Sequence, residues 1–222
     1  PDTLTLEMGD DVEQYEIEFV MFDNLKIAGT ISPDGSDSPV TGEFSYFGRQ
    51  VTVTNLTAAQ ALHTGLEFMS AKLATFSLDA LWANVGTTPQ TNTLRGFALE
   101  IMAGTEPKFY GSANRYFDSF GEGQIGALLT LDLEGNSTAD AIFDLYQAGT
   151  ERALRFAITG STIGAGTPYK YQVDLFGYFA EVVPLGQLVG ANSLHRALFV
   201  AKPDTVANAQ LDIDIVTNNS VV

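Results

Sequence analysis

Carboxylates two positions apart recur along this 222-residue chain, and theirs is the first chemistry to weigh. Asp132 with Glu134, and Asp212 with Asp214, would each share one strand face, a spacing that could serve acid–base catalysis or calcium ligation. Any half-exposed strand shows the same spacing on its wet side, so a solvated acidic face is expected. Gly121-Glu122-Gly123-Gln124-Ile125-Gly126 has the letters of a dinucleotide fingerprint. That chemistry needs a helix N-terminus directly after the glycines, whereas Ala127 to Leu133 alternates like a strand, so a turn is expected. His63 and His195 lack the His-Glu-x-x-His spacing and are expected at the surface or rim. The chain has no cysteine, Gly-x-Ser-x-Gly elbow or Walker loop. Asp34 and Asp37 lack the alternating oxygen ligands of a calcium loop. The sequons at Asn55, Asn136 and Asn218 read as turns and caps. No catalytic residue, cofactor or metal site is therefore expected.

Composition narrows the class further. Eleven Lys and Arg against 27 Asp and Glu give a formal charge of −16, which disfavours tight binding to nucleic acid through phosphate neutralisation. Charged residues are only 17% and apolar ones 45%, so the acidity belongs to a folded domain rather than an acidic tail. No apolar run is long enough to cross a bilayer, and the segment from Pro1 to Glu7 has no basic n-region, so a soluble product without a membrane partner is expected.

Period-two alternation is the dominant pattern. From Gln124 to Glu134, Ile125, Ala127, Leu129, Leu131 and Leu133 fall on one face. Tyr15, Ile17 and Phe19 alternate with Glu16 and Glu18, and Leu211, Ile213 and Ile215 alternate with Asp212 and Asp214. Further strands are expected at Val51 to Thr54, Leu73 to Trp82, Leu94 to Met102, Lys108 to Phe117, Ala153 to Thr159, Tyr169 to Tyr178 and Leu194 to Ala201. That density implies a mainly β chain, a sandwich or partial barrel of antiparallel strands.

One segment, about residues 137–148, reads as a helix. Asn136, Ser137 or Thr138 supplies its N-cap and Gly149 its stop. Its apolar stripe of Ile142, Leu145 and Tyr146 should pack on a sheet, with Asp140 and Asp144 wet. A second helix over Thr57 to Ser70 is interrupted by Gly65. Ser32 to Pro39 reads as an extended solvent-facing loop, Asn84 to Asn92 as a softer break able to join two substructures, and Gly160 to Pro168 as a hairpin tip.

The strand from Gln124 to Glu134, the capped helix and the following Gly149-Thr150-Glu151-Arg152-Ala153-Leu154-Arg155-Phe156-Ala157-Ile158-Thr159-Gly160 together resemble the second half of tail tube proteins of long-tailed phages. Leu94 to Glu100 and Pro107 to Gly111 resemble the paired strands before it. Tyr169 to Phe179, Glu181 to Gly186, Leu194 to Lys202 and Leu211 to Asn218 resemble the closing strands, so the likeness covers roughly residues 70 to 218. The resemblance implies a single tail-tube domain over 1–222, with 1–70 its less recognisable part, carrying the loop 32–39. It also implies a non-enzymatic virion protein forming stacked hexameric rings, whose strands join into a continuous β-barrel around the passing DNA. Its partners would be copies of itself, the tape measure and tail terminator proteins, and viral DNA that passes without tight binding. It would assemble in the host cytoplasm and reside in the tail.

On that reading, some of Glu100, Asp132, Glu134, Asp174, Asp212 and Asp214 would face the lumen. Arg95, Arg115, Arg152 and Arg155 would pair across subunits, and the stretch from Tyr46 to Arg49, with the loop 32–39, would touch stacked rings. Local surface pairing of these arginines is the competing reading. A carbohydrate-binding or adhesive β-sandwich, with its tyrosines and single tryptophan as stacking platforms, is the alternative from another class, and an acidic β-barrel hydrolase a third.

Overall fold

The computed structural model describes residues 3–10, 12–57, 68–111, 115–163, 166–184, 188–189 and 192–217. In chain order the elements are β1 (Leu4–Gly9), β2 (Gln14–Thr30), β3 (Thr41–Phe47), β4 (Gln50–Val53), β5 (Ala74–Asp79), β6 (Pro89–Gln90), β7 (Leu94–Met102) and β8 (Thr105–Lys108). There follow β9 (Ser119–Glu122), β10 (Gly126–Glu134), α1 (Ser137–Gln147), β11 (Arg152–Thr162), β12 (Pro168–Val183), β13 (Leu188–Val189), β14 (Asn192–Ala201) and β15 (Leu211–Val216). The fold is mainly antiparallel β with a single helix among the described residues, and its sheets do not close into a barrel, as in a β-sandwich. The expected second helix over Thr57 to Ser70 lies largely outside the described residues.

The chain divides into two compact units. The first comprises Pro1–Lys26, Glu43–Glu67 and Ile101–Gly126; the second comprises Ile27–Gly42, Phe68–Glu100 and Ala127–Val222. In the second, strand order runs β7-β10-β14-β12-β11-β5-β6, with β15 also on β12. β10 alternates without a fault: Ala127, Leu129, Leu131 and Leu133 are buried and the residues between them half-buried. The strand starts two residues later than its pattern predicts, leaving Ile125 exposed. Phe97 of β7 meets Phe156 of β11 with ring centroids 4.6 Å apart, which joins the two layers through the core. Burying such a ring contributes roughly 1.5–3 kcal/mol.

β12 serves both layers. Its first part pairs with β11 and β15, its last with β14, and Gly177 stands opposite both Arg152 and Ala201. A Cβ on Gly177 would lie 2.0 Å from the Val200 carbonyl oxygen, so this approach of two backbones requires glycine.

The helix follows its caps. The Asn136 side chain accepts from Thr138 N at 3.0 Å and Ala139 N at 3.2 Å, which selects Asn136 among the three candidates. At the other end Gly149 N donates to Tyr146 O and Thr150 N to Leu145 O, a Schellman stop. Ala139 and Ile142 are buried, while Tyr146 lies exposed at the rim instead of completing the stripe. Asp140 and Asp144 are exposed, as expected.

One loop differs from its sequence reading. Asn84 to Asn92 is no boundary: it lies within the second unit, where Pro89 and Gln90 pair with β5. The strand expected to reach Trp82 stops at Asp79, whose buried carboxylate gathers Gly86 N, Thr87 N and both threonine hydroxyls of Thr87 and Thr88 at 2.7–3.1 Å. The loop 32–39 is solvent-facing as expected, with residues 33–37 and Pro39 exposed, and it is tied back to the chain. Ala71 N donates to Ser38 O, Ser70 Oγ to Asp37, and Lys72 pairs with Asp37 at 2.7 Å.

The first unit holds β1, β4, most of β3 and the N-terminal part of β2, with β8 and β9 as a two-stranded ribbon. β2 is longer than its alternation suggests because Phe19 breaks the phase. Its φ is +52°, and the β1–β2 register slips there, from Leu6 opposite Ile17 to Leu4 opposite Val20. Phe19 is thereby turned outward and the burial moves to Val20 and Met21, a β-bulge. Lys108 to Phe117 is likewise not a strand: pairing ends at Lys108 opposite Ser119, and residues 109–111 and 115–117 form part of the connection.

Two outcomes are expected. Gly177→Ala should lower the unfolding free energy by about 1–3 kcal/mol, whereas Gly42→Ala, where an added Cβ meets nothing within 4 Å, should change it by less than about 0.5 kcal/mol, both read from denaturant titration. Burial alone would raise the Asp79 carboxyl, but the Thr87 and Thr88 hydroxyls and backbone amides outweigh it and hold its pKa below the ordinary value. That contribution to stability is present above the unfolded value of about 4 and lost as pH falls through the lower native one, so Asp79→Asn should flatten the acid limb of the stability–pH curve.

Candidate interaction surfaces

Cross-strand register decides the fate of the acidic residues. In the second unit Asp132 of β10 lies opposite Arg196 of β14 and is bridged by it at 2.7 and 3.1 Å. Arg155 of β11 lies opposite Asp174 of β12, a two-pronged pair at 2.7 Å in both arms. Arg95 bonds Glu134 at 2.8 Å, and Lys170 pairs with Asp214. The hydrogen bond to Asp174 raises the Arg155 pKa, and the bond to Asp132 does the same for Arg196. Lys202 pairs with Glu151, and with Lys72 on Asp37, six of the second unit's seven cations are committed to carboxylates of that unit. The seventh, Arg152, donates to the Glu151 carbonyl oxygen at 2.9 Å.

Of the six expected lumen residues, Asp174 is only 4% exposed, Glu100, Asp132, Glu134 and Asp214 are half-buried, and Asp212 alone is exposed. On β15 neither face is closed: Asp212 is exposed on the acidic side, Ile213 and Ile215 are exposed on the other, Ile215 by 62%, and Asp214 is drawn in by Lys170. β15 pairs with β12 along one edge, with no second partner strand among the described residues.

The first unit presents a different surface. Among the described residues it buries three apolar side chains, Val20, Met21 and Phe117, and exposes eleven large ones. Phe22 and Phe44 meet edge to face at 5.4 Å, and Val51 and Val53 stand exposed on β4. At the β2 kink the β3–β4 line breaks as well, and Arg49 N donates to Glu18 O. Gly48 fits because a Cβ there would stand 2.2 Å from the Ile17 side chain. The Arg49 guanidinium lies over the Phe19 ring, 5.2 Å from its centroid, and over the Tyr116 ring at 4.9 Å, and its buried Nε has no hydrogen-bond partner among the described residues. Phe117 packs edge-on against Phe47 at 5.4 Å and faces Phe109 at 6.5 Å. Arg115 is exposed beside this cluster. Sequence reasoning named Arg49 and Arg115 but missed the cluster, whose members are far apart in the chain. A phenylalanine at the point where alternation fails was the available signal.

His195 is buried on β14 opposite Leu133, not at the rim, while His63 lies outside the described residues. No group of three or more His, Asp or Glu gathers as a metal site among the described residues. Asp34 accepts from Ser32 Oγ and Ser36 N, bonds that lower its pKa to about 2. Gly121 to Gly126 forms the end of β9 and the turn into β10, not a helix. A shallow recess in the first unit is lined by Met21, Phe22, Ala103, Thr105 and Ile125, an apolar wall with Glu122 as its one charge. No helix among the described residues is long and apolar enough to cross a membrane.

No protein-family model and no curated protein matches the chain. Among solved structures it is similar to a chain of the SPP1 tail tube, a hybrid structure from solid-state NMR and cryo-EM, with 16% identity and a TM-score of 0.43 over 60% of this chain and 75% of that one.

Proposed function

We propose that this protein is a non-enzymatic virion component that assembles with copies of itself into stacked hexameric rings, forming a tail tube through which the genome is delivered. The observation that carries this is the first unit's surface: eleven exposed large apolar side chains against three buried. A set this large on a monomer marks a contact surface or an aggregation liability, and ordered self-association turns the second into the first. Each such side chain buried contributes roughly 1.5–3 kcal/mol before the costs of association. That gain has to outweigh the mutual repulsion of subunits that each carry −16. The sequence resemblance over residues 70 to 218 supplies the kind of assembly.

In such a tube the acidity has a use. DNA is held by walls rich in Lys and Arg through counterion release, so a lumen lined with carboxylates lets it slide. Asp212 is the strongest lumen candidate, being exposed and in no salt bridge among the described residues, and the half-buried Glu100, Asp132, Glu134 and Asp214 would add a weaker field. Contacts with tape measure and terminator proteins would follow at the tube's ends.

Electron microscopy and sedimentation of the purified protein should show rings or tubes. A monomer at all accessible concentrations would overturn the proposal, and a monomer that binds glycan would favour the carbohydrate-binding module instead. Phe44→Ala, at a side chain 57% exposed, should cost the subunit about 1 kcal/mol or less yet weaken association at least about tenfold.

A further inference from the structure

Resting on the assembly reading above, we infer that the open edge of β1 in one copy pairs with the open edge of β4 in the next, strand parallel to strand. In the first unit β1 and β4 flank β2, and neither has a second partner strand among the described residues. Cross-strand register sorts this strip into two faces. Leu6, Ile17 and Val51 form one row and Met8, Tyr15 and Val53 the next on the same face, while Glu7, Glu16 and Thr52 lie on the other. The apolar rows run out to both margins and end there uncovered, at Met8 on β1 and at Val51 and Val53 on β4.

Open edges are normally guarded by charge, proline or shortness. In the second unit β6 has two residues and begins with Pro89, and β15 carries Asp212 and Asp214. β4, Gln50-Val51-Thr52-Val53, has neither charge nor proline. β1 has one charge, Glu7, whose carboxylate accepts from Thr57 N at 2.9 Å and Thr57 Oγ1 at 2.6 Å. Backbone donors and acceptors along such edges are satisfied by a further strand, with main-chain hydrogen bonds supplying the affinity.

Edge accounting names the occupant. β1 against β1 would bring two Glu7 residues into one junction and leave both β4 edges open, and β4 against β4 would leave both β1 edges open. Only β1 against β4 of another copy occupies both kinds of edge and continues the apolar rows. The two edges differ, so the contact is head-to-tail and builds rings or filaments rather than closed pairs. β1 and β4 each run antiparallel to β2 and therefore run the same way. Rotation about a ring axis preserves direction along that axis, which makes the junction parallel.

The test uses the full chain, read by sedimentation and electron microscopy. Val51 and Ile215 are both 62% exposed on strands with one partner, so general apolar adhesion would respond equally to lysine at either. Val51→Lys should weaken association about tenfold or more, whereas Ile215→Lys should leave it within about threefold of wild type. Melting curves confirm that each variant folds, and Val53→Lys replaces Val51→Lys should that one misfold. The chain has no cysteine, so a short bis-maleimide reacts only at introduced ones. Assembled mixtures of Met8→Cys and Val53→Cys chains should give covalent dimers, and neither variant by itself should. Equal effects of the two lysines, dimers from one cysteine variant by itself, or an assembled mixture that does not link would each overturn this contact while leaving self-assembly standing. A wild-type chain that never assembles would overturn the assembly reading itself.

Discussion

A β-sheet persists in water only when its apolar face is covered and its edges are occupied, and the two units of this chain meet that condition very differently. In the second, β10 sends four buried side chains into a core closed by β5, β11 and β14, and the helix adds Ala139 and Ile142. In the first, β1, β3 and β4 all depend on β2 for pairing, the separate ribbon has two strands, and three apolar side chains are buried. Two-stranded ribbons are at best marginal by themselves. The sequence that makes the first unit is nevertheless rich in Phe, Val and Tyr, residues that favour pleated and half-covered surfaces. Most of its large apolar side chains are left in contact with water.

Charge follows the same division. The second unit uses six cations against its own carboxylates, one of them the two-pronged Arg155–Asp174 pair set by direct cross-strand register. Asp174 and Asp212 also stand opposite each other on β12 and β15, an unfavourable like-charge pair that Arg155 offsets. What the second unit leaves at its surface is therefore almost wholly negative. Among the described residues the first unit's Arg49, Lys108 and Arg115 make no salt bridge, and Arg49 lies over the Phe19 and Tyr116 rings. Stacking fixes the guanidinium's position without neutralising its charge.

Legibility in the sequence tracked how many neighbours had a say. β7 matches its predicted limits, and β10 and β11 their alternation, because strands covered on a known face obey a strict period. The helix was equally plain, since Asn136 and Gly149 are local chemical signals at its two ends. The pattern failed where one backbone angle reset it: the +52° φ at Phe19 exchanges the faces of β2, and no count of apolar residues registers that. On β15 the alternation did not decide burial, because Asp212 and Ile213 are both exposed and only the rest of the fold decides which positions are covered. Of the expected site residues, Arg95 and Arg155 were legible as arginines near acids, but only register assigned them to Glu134 and Asp174. The Arg49 cluster joins positions 19, 49 and 116, a proximity that no local window contains.

Apolar surface and charge place different demands on an assembling chain. Burial of exposed Phe and Val side chains supplies free energy but little orientation, because the hydrophobic effect is non-directional. An exposed apolar ribbon governed by that alone would pair with any free edge, its own aggregates included. A net charge of −16 opposes every such encounter equally at long range. In the proposed assembly, discrimination then falls to directional contacts, the hydrogen bonds of strand edges and the geometry of aromatic pairs such as Phe22 with Phe44. Repulsion and adhesion would act together there: the first opposing every approach at long range and the second holding the one in which strand edges pair.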